Sequence, residues 1–157
     1  MRHKGFTLIE LVVSVAIVAL LASLVVPVGQ LAVKREKERE LRQALREMRT
    51  ALDAYRQAVD DKRIDVNLTK SGYPSSLQVL VDGVNDMQSP DKRSKLKFLR
   101  RIPRDPFAQD AAQSNDATWG KRSYASSPDN PVAGDDVFDV YSLSPQSGLN
   151  GTPYRKW

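Results

Sequence analysis

Cysteine is absent from this chain. No disulfide can staple the fold, and no thiol can do chemistry. Histidine occurs once, at His3. Acid–base or nucleophilic catalysis beyond it would have to rest on carboxylates, lysines, hydroxyls or tyrosines. There is no Gly-x-Ser-x-Gly, no P-loop and no His-Glu-x-x-His pattern. These absences argue against an enzyme, so no catalytic residue and no metal ligand is named. An excess of one charge is lacking as well. The 24 basic and 19 acidic side chains leave a formal +5, too mild and too interspersed for nucleic-acid binding.

What is present is a long apolar run. From Leu11 to Val28 every residue is apolar except Ser14 and Ser23, with Pro27 inside the run. At 1.5 Å per residue that stretch makes about 27 Å of helix, close to the hydrocarbon thickness of a bilayer. A buried helix of a soluble domain would carry a polar back, and this run has none. A secretory signal peptide competes for the same features. Its apolar core is normally shorter and ends at small residues such as Ala-x-Ala, which do not follow here. Basic residues lie on both sides, Arg2 and Lys4 before the run and Lys34, Arg35, Lys37, Arg39 and Arg42 after it. Charge therefore does not decide which end faces inward.

Glu10 does not fit a plain anchor. It stands at the start of the apolar sequence, where an ionisable residue usually marks function. A bland reading places it among the headgroups. The sharper one gives it a positive partner: the new α-amino group of Phe6, if the chain is cut after Gly5.

Met1-Arg2-His3-Lys4-Gly5 followed by Phe6-Thr7-Leu8-Ile9-Glu10 and the apolar run resembles the class III leader of type IV pilins and type II secretion pseudopilins. The resemblance implies that residues 1–5 are a leader cut by an inner-membrane prepilin peptidase. Gly5 would be the residue before the cut, Phe6 the N-methylated new terminus, and Glu10 the acidic residue of the motif, paired with Phe6 in assembly. Cutting there removes Arg2 and Lys4, leaving 22 basic side chains of the 24 against 19 acidic ones. It also leaves no histidine.

The expected fold is α+β and pilin-like. A long N-terminal helix packs on a small head with one short helix and a small antiparallel sheet. Residues 6–33 would form the transmembrane and filament-core helix, 34–62 its amphipathic continuation, and 63–157 the periplasmic head. Pro27 removes a backbone hydrogen bond and crowds the Ser23 carbonyl, so a kink is expected there. Opposite charges at Lys34/Glu38 and Glu38/Arg42 allow helix to continue. Beyond them Leu41, Leu45, Met48, Leu52, Tyr55 and Val59 recur at alternating spacings of four and three, widened by Ala44, Ala51 and Ala58. Such a stripe has one face to bury. As a coiled-coil seam, the alternative, it lasts under about three heptads, so packing on its own head is favoured.

The helix should fade near Asp60–Arg63. Tyr73–Gly83 reads as a short helix, capped by Ser75 or Ser76 and closed by Gly83, with Leu77, Leu80 and Val81 on one face. Residues 84–95 read as polar and irregular. Pro103 and Pro106 force Leu99–Phe107 into an extended, turned path, a solvated loop rather than a basic patch. Residues 108–118 read as surface loop, with Trp119 and Tyr124 after it packing on the core. Asp136–Leu143 is the best strand, expected to pair with the segment around Arg122–Ser126. The Gly/Pro-rich end would need pinning, by Trp157 inserting into the head.

Tyr73-Pro74, Ile102-Pro103-Arg104-Asp105-Pro106-Phe107, Phe138-Asp139-Val140-Tyr141-Ser142 and the terminal Trp157 stand in an order similar to that of the major pseudopilins of type II secretion. The resemblance implies a structural subunit that polymerises through its N-terminal helix to help export folded proteins across the outer membrane. Its partners would be further copies in a helical filament, the prepilin peptidase, other pseudopilins and an inner-membrane assembly platform. It would sit in the bacterial inner membrane as a single-pass protein with its head in the periplasm, then in a periplasmic pseudopilus. Alternatives are a subunit of a type IV pilus or DNA-uptake pseudopilus, and a single-pass membrane protein whose head binds a ligand. Many such pseudopilins bind calcium through acids in the last loop. Here Ser142–Trp157 contains no Asp or Glu, and Arg155-Lys156 precede Trp157. No cofactor is expected, and calcium is disfavoured.

Overall fold

The computed structural model describes residue 5 and residues 7–68, 71–90 and 94–157. The chain divides into two compact units, one ending at Lys37 and the other comprising Glu38–Trp157. Helix α1, Leu8–Asp60, supplies residues to both.

In the first unit α1 continues through Pro27. Its two serines solve a problem that an apolar surrounding would pose. The Ser14 hydroxyl donates to the Glu10 carbonyl oxygen at 2.7 Å, and the Ser23 hydroxyl to that of Leu20 at 2.7 Å. Each polar group is thus satisfied inside the helix without water.

In the second unit the stripe from Leu41 to Val59 is buried over its whole length, alanines included. It forms one core with Ile64, Leu77, Leu80, Leu99, Ile102, Trp119, Val137, Val140 and Tyr154. This is the packing expected of a 3.6-residue period with one apolar face. Helix α1 stops where its charged end predicts, and the stop has a defined geometry. Lys62 sits at φ 59°. The Lys62 and Arg63 amides turn back to the Val59 and Ala58 carbonyls, each at 2.9 Å. Those are the two bonds of a Schellman cap, formed here around a lysine rather than a glycine.

Helix α2 spans Leu77–Asp82, with Ser76 at the cap position but no side-chain cap bond, and Gly83 at its end. Leu77 and Leu80 are its buried residues. The Leu80 carbonyl accepts from both Phe98 and Leu99 amides, at 2.9 and 3.0 Å, and ties α2 to the chain that follows.

Residues 84–95, expected to be irregular, hold a small antiparallel pair instead. Strand β1, Val84–Asn85, faces β2, Lys95–Leu96. Two residues per strand carry no readable alternation, so pairing comes from the turn at Gly83 and from tertiary anchoring. The Arg63 guanidinium clasps the Asp86 carboxylate at 2.6 Å, and the Met87 amide donates to the Arg63 carbonyl at 2.8 Å. The hydrogen bond from the Arg63 guanidinium holds the Asp86 carboxyl below its ordinary value.

Leu99–Phe107 contains neither helix nor strand, as its prolines predict. It is not a solvated loop, because Leu99 and Ile102 insert into the core and the Asp105 carboxylate is buried by its bond to Ser142. Residues 108–118 are not all surface loop. They end in a 3-10 turn, Asp116–Thr118, with Thr118 buried. The cause is Arg104, whose guanidinium donates to the carbonyls of Asp110 and Gln113 and gathers the loop around itself. Strand β3, Trp119–Arg122, pairs with β4, Asp139–Ser142, so that Arg122 faces Asp139. The partner segment thus lies a few residues earlier than expected. Val140 and Ser142 form the buried face of β4, while Leu143 lies outward at 54% exposure. Trp119 is buried and its indole donates to the Pro103 carbonyl at 2.8 Å. Tyr124 is not in the core. At 61% exposure it stacks on Tyr73 beside Phe138, because β3 has ended and only surface remains beneath it.

Candidate functional site

The features singled out from the sequence converge on the start of α1. Gly5 is described and exposed, and a methyl group built on it meets nothing within 4 Å. Among the described residues no neighbour crowds this position. Phe6 lies outside the described residues.

Thr7, part of the leader motif, also has a structural place at the start of α1. Its hydroxyl oxygen accepts from the Glu10 amide at 3.3 Å, and its carbonyl accepts from the Leu11 amide at 3.2 Å. Thr7 is thus the cap of α1 and Glu10 the third residue inside it. The signal was available, since Thr-x-x-Glu before an apolar run is a capping-box spacing. At this position the carboxylate faces the positive end of the helix dipole, which favours it by about 0.3–1 kcal/mol.

That environment makes Glu10 tolerable but does not explain it, and magnitudes help decide what it can do. Among the described residues, thirteen large apolar side chains between Leu8 and Val33 are exposed. Among the described residues, none in the most apolar window is buried. At about 1.5–3 kcal/mol each, their transfer from water is worth roughly 20–40 kcal/mol. A charged side chain in a membrane helix costs about 2.5–3.5 kcal/mol on insertion scales. One carboxylate therefore cannot keep α1 out of an apolar phase. It can, however, prefer a place in that phase where a positive group waits. By length and composition α1 is able to cross a membrane.

The second unit offers no comparable chemistry. A groove of about 720 Å³ runs between α1 and the proline-rich segment and is lined by Glu40, Glu47, Arg100, Arg101 and Arg104. Acids and guanidinium groups alternate there without a nucleophile and base in a pair. Among the described residues no group of three or more His, Cys, Asp or Glu is placed to hold a metal.

Residues 1–26 match the prokaryotic N-terminal methylation motif. The chain is 31% identical over 155 residues to the type II secretion system core protein G of Pectobacterium carotovorum subsp. carotovorum, covering 96% of this chain and 81% of that protein. It is 30% identical over 142 residues to the type II secretion system core protein G of Klebsiella pneumoniae, covering 87% and 93%. No solved structure matches it.

Proposed function

Because the chain belongs to the family of type II secretion system core protein G, the major pseudopilins, we propose that it is a structural subunit of the pseudopilus. It polymerises through its N-terminal helix and helps export folded proteins across the outer membrane. The family is one of structural subunits, and the role asks no catalysis of the head.

The observation that carries this reading is the uncovered start of α1. An apolar helix with no described side chain covered by its own chain needs a bilayer first and neighbouring copies afterwards. Gly5 fits the same picture. The leader motif supports reading Gly5 as the residue recognised by the prepilin peptidase, which cuts after it. Cutting after Gly5 and methylating Phe6 leaves a cationic amine next to the Thr7 cap. Glu10 of an incoming copy pairs with that amine on its neighbour. The pair removes an unpartnered charge from apolar surroundings and sets the axial register. Apolar packing along α1 supplies most of the cohesion. Pro27 and Gly29 mark the weak stretch where α1 bends or loosens as copies pack. The precursor sits in the inner membrane with its head in the periplasm, where an assembly platform and other pseudopilins meet it.

Both relatives are type II secretion proteins. No observation favours a type IV pilus, a DNA-uptake fibre or a ligand-binding membrane protein.

Intact mass and N-terminal peptide sequencing of the protein from its native membrane test the processing step. The expected chain starts at Phe6 with one added methyl group. A chain that still starts at Met1 beside an active prepilin peptidase would overturn the reading. Glu10→Ala separates processing from assembly: it is expected to be cut normally and to yield no fibres.

A further inference from the structure

The segment Ser144–Trp157 has a defined shape although it carries no acidic residue. Its turns close on themselves. The Gly148 amide donates to the Thr152 carbonyl at 2.8 Å, Gly151 to Gly148 at 2.9 Å, and Tyr154 to Gln146 at 3.1 Å. The Asn150 side-chain oxygen accepts from the Thr152 amide at 3.0 Å. Tyr154 is fully buried, stacked on Phe107 and edge-on to Trp157. Tyr154, not the half-buried Trp157, is thus the deep anchor of this end.

Calcium requires six to eight oxygen ligands, among them carboxylates. The donor set here does not fit it. The carbonyls of Gln146, Gly148 and Thr152 and the Asn150 oxygen already accept hydrogen bonds within the segment. One carboxylate does reach the loop, and it comes from α1. Glu38 is 5% exposed. Its Oε1 accepts from the Leu149 amide at 2.7 Å and from the Tyr154 hydroxyl at 3.0 Å. Its Oε2 faces the Arg42 guanidinium at 3.7 Å, and that guanidinium lies 4.5 Å over the Trp157 ring. A cation is therefore already beside this carboxylate. One helical turn beyond Leu45, Arg49 grips the far end, donating to the Trp157 main-chain oxygen at 2.7 Å and to Asp139 at 2.9 Å. Burial, and then the bond to Glu38, push the Tyr154 hydroxyl far above the ordinary tyrosine range, so it remains a donor at any working pH.

We propose that the C-terminal segment of this pseudopilin is held by α1 instead of by calcium, with Glu38 accepting from Leu149 and Tyr154 and Arg49 gripping Trp157. Glu38 occupies the role a loop acid and its ion would fill: a fixed negative centre around which the loop amides turn. Three consequences distinguish the clamp from an ion site. The loop is ordered in chelator, its order depends on residues of α1, and a divalent cation adds nothing to it.

Hydrogen exchange on the full chain in detergent reads all three. Wild-type protein in excess EGTA is expected to protect the Leu149 and Tyr154 amides as fully as in millimolar calcium. Protection that rises severalfold with calcium overturns the proposal. In EGTA, Glu38→Gln is expected to speed exchange at Leu149 by about tenfold or more, since bonds to a charged acceptor are worth about 1.5–3 kcal/mol. The Met48 amide in α1 should be unchanged. Tyr154→Phe removes one oxygen and no packing volume, and serves if Glu38→Gln does not fold. Leu149 exchange unchanged in both variants, or in Tyr154→Phe alone when the other does not fold, overturns the clamp. None of these readouts depends on cleavage at Gly5, so the clamp and the pseudopilus reading stand or fall separately.

Discussion

The Asp105 carboxylate, 2% exposed, accepts a hydrogen bond of 2.5 Å from the Ser142 hydroxyl, joining the proline-rich segment to β4 across 37 residues. The other carboxylate oxygen accepts from the Phe107 amide at 2.8 Å, and the Asp105 amide donates to the Thr118 hydroxyl at 3.2 Å. This small network holds Leu99–Phe107 against the sheet where neither helix nor strand can form.

Removing either end of that bond should be costly, and unequally so. Asp105→Ala removes the acceptor of the buried Ser142 hydroxyl, at about 1–3 kcal/mol, and of the part-buried Phe107 amide. Ser142→Ala takes away one of two donors to the carboxylate and should cost less. Chemical denaturation of the two variants and the double variant in detergent checks this. The double variant should be less destabilised than the sum of the singles, as residues in one network do not add. Strict additivity would mean that the two residues do not share a bond.

Two left-handed backbone positions should respond in opposite directions. Lys62, at φ 59°, is exposed at the end of α1. A side chain in that conformation costs about 1–2 kcal/mol, part of which glycine gives back through a freer unfolded chain. Lys62→Gly is therefore expected to stabilise the head by about 0.5–1 kcal/mol. Gly83, at φ 77°, has the Leu96 carbonyl oxygen 2.7 Å from where a Cβ would stand. Gly83→Ala meets both the conformational cost and a backbone clash, and should destabilise by more than about 2 kcal/mol, loosening the β1–β2 pair. Thermal melts of both variants beside the wild type would show it, and a common sign for the two would contradict it.

The Arg63–Asp86 pair predicts a pH dependence with a definite sign. The hydrogen bond from Arg63 lowers the Asp86 pKa in the folded state. Its stabilisation is thus present above the unfolded carboxylate value of about 3.9 and is lost as pH falls through the lower folded value. Arg63 is shifted the other way, from a value already so high that it stays charged throughout. Melting temperature measured from pH 6 downward should fall less steeply below about pH 4 in Asp86→Asn than in the wild type. Asp86→Asn should already melt lower at neutral pH. Parallel curves would show that the pair is not protonation-linked to folding.

Some of this molecule is written in short windows of sequence and some is not. The apolar run, the stripe from Leu41 to Val59, the end of α1 after Asp60 and the short helix closed by Gly83 all follow from spacings of one to four residues, which a helix turns directly into a face or a cap. The leader pattern through Glu10 is equally local, and so was the Thr7 cap, though its spacing was read only as part of the family motif. The sequence by itself therefore determined a helix long and apolar enough to cross a membrane, the fold class and the residues at which processing and pairing are proposed. Tertiary structure alone decided the rest. Tyr154 and Glu38 are 116 residues apart, and no local pattern links a buried tyrosine to a carboxylate at that distance. Strands of two residues have no period to read, so β1 and β2 emerge only once Asp86 is clasped by Arg63. Trp119 and Tyr124 look alike in sequence. One is buried and one is not, because burial depends on where β3 ends and on how much core lies beneath it, a property of the assembled head and of no single stretch of chain.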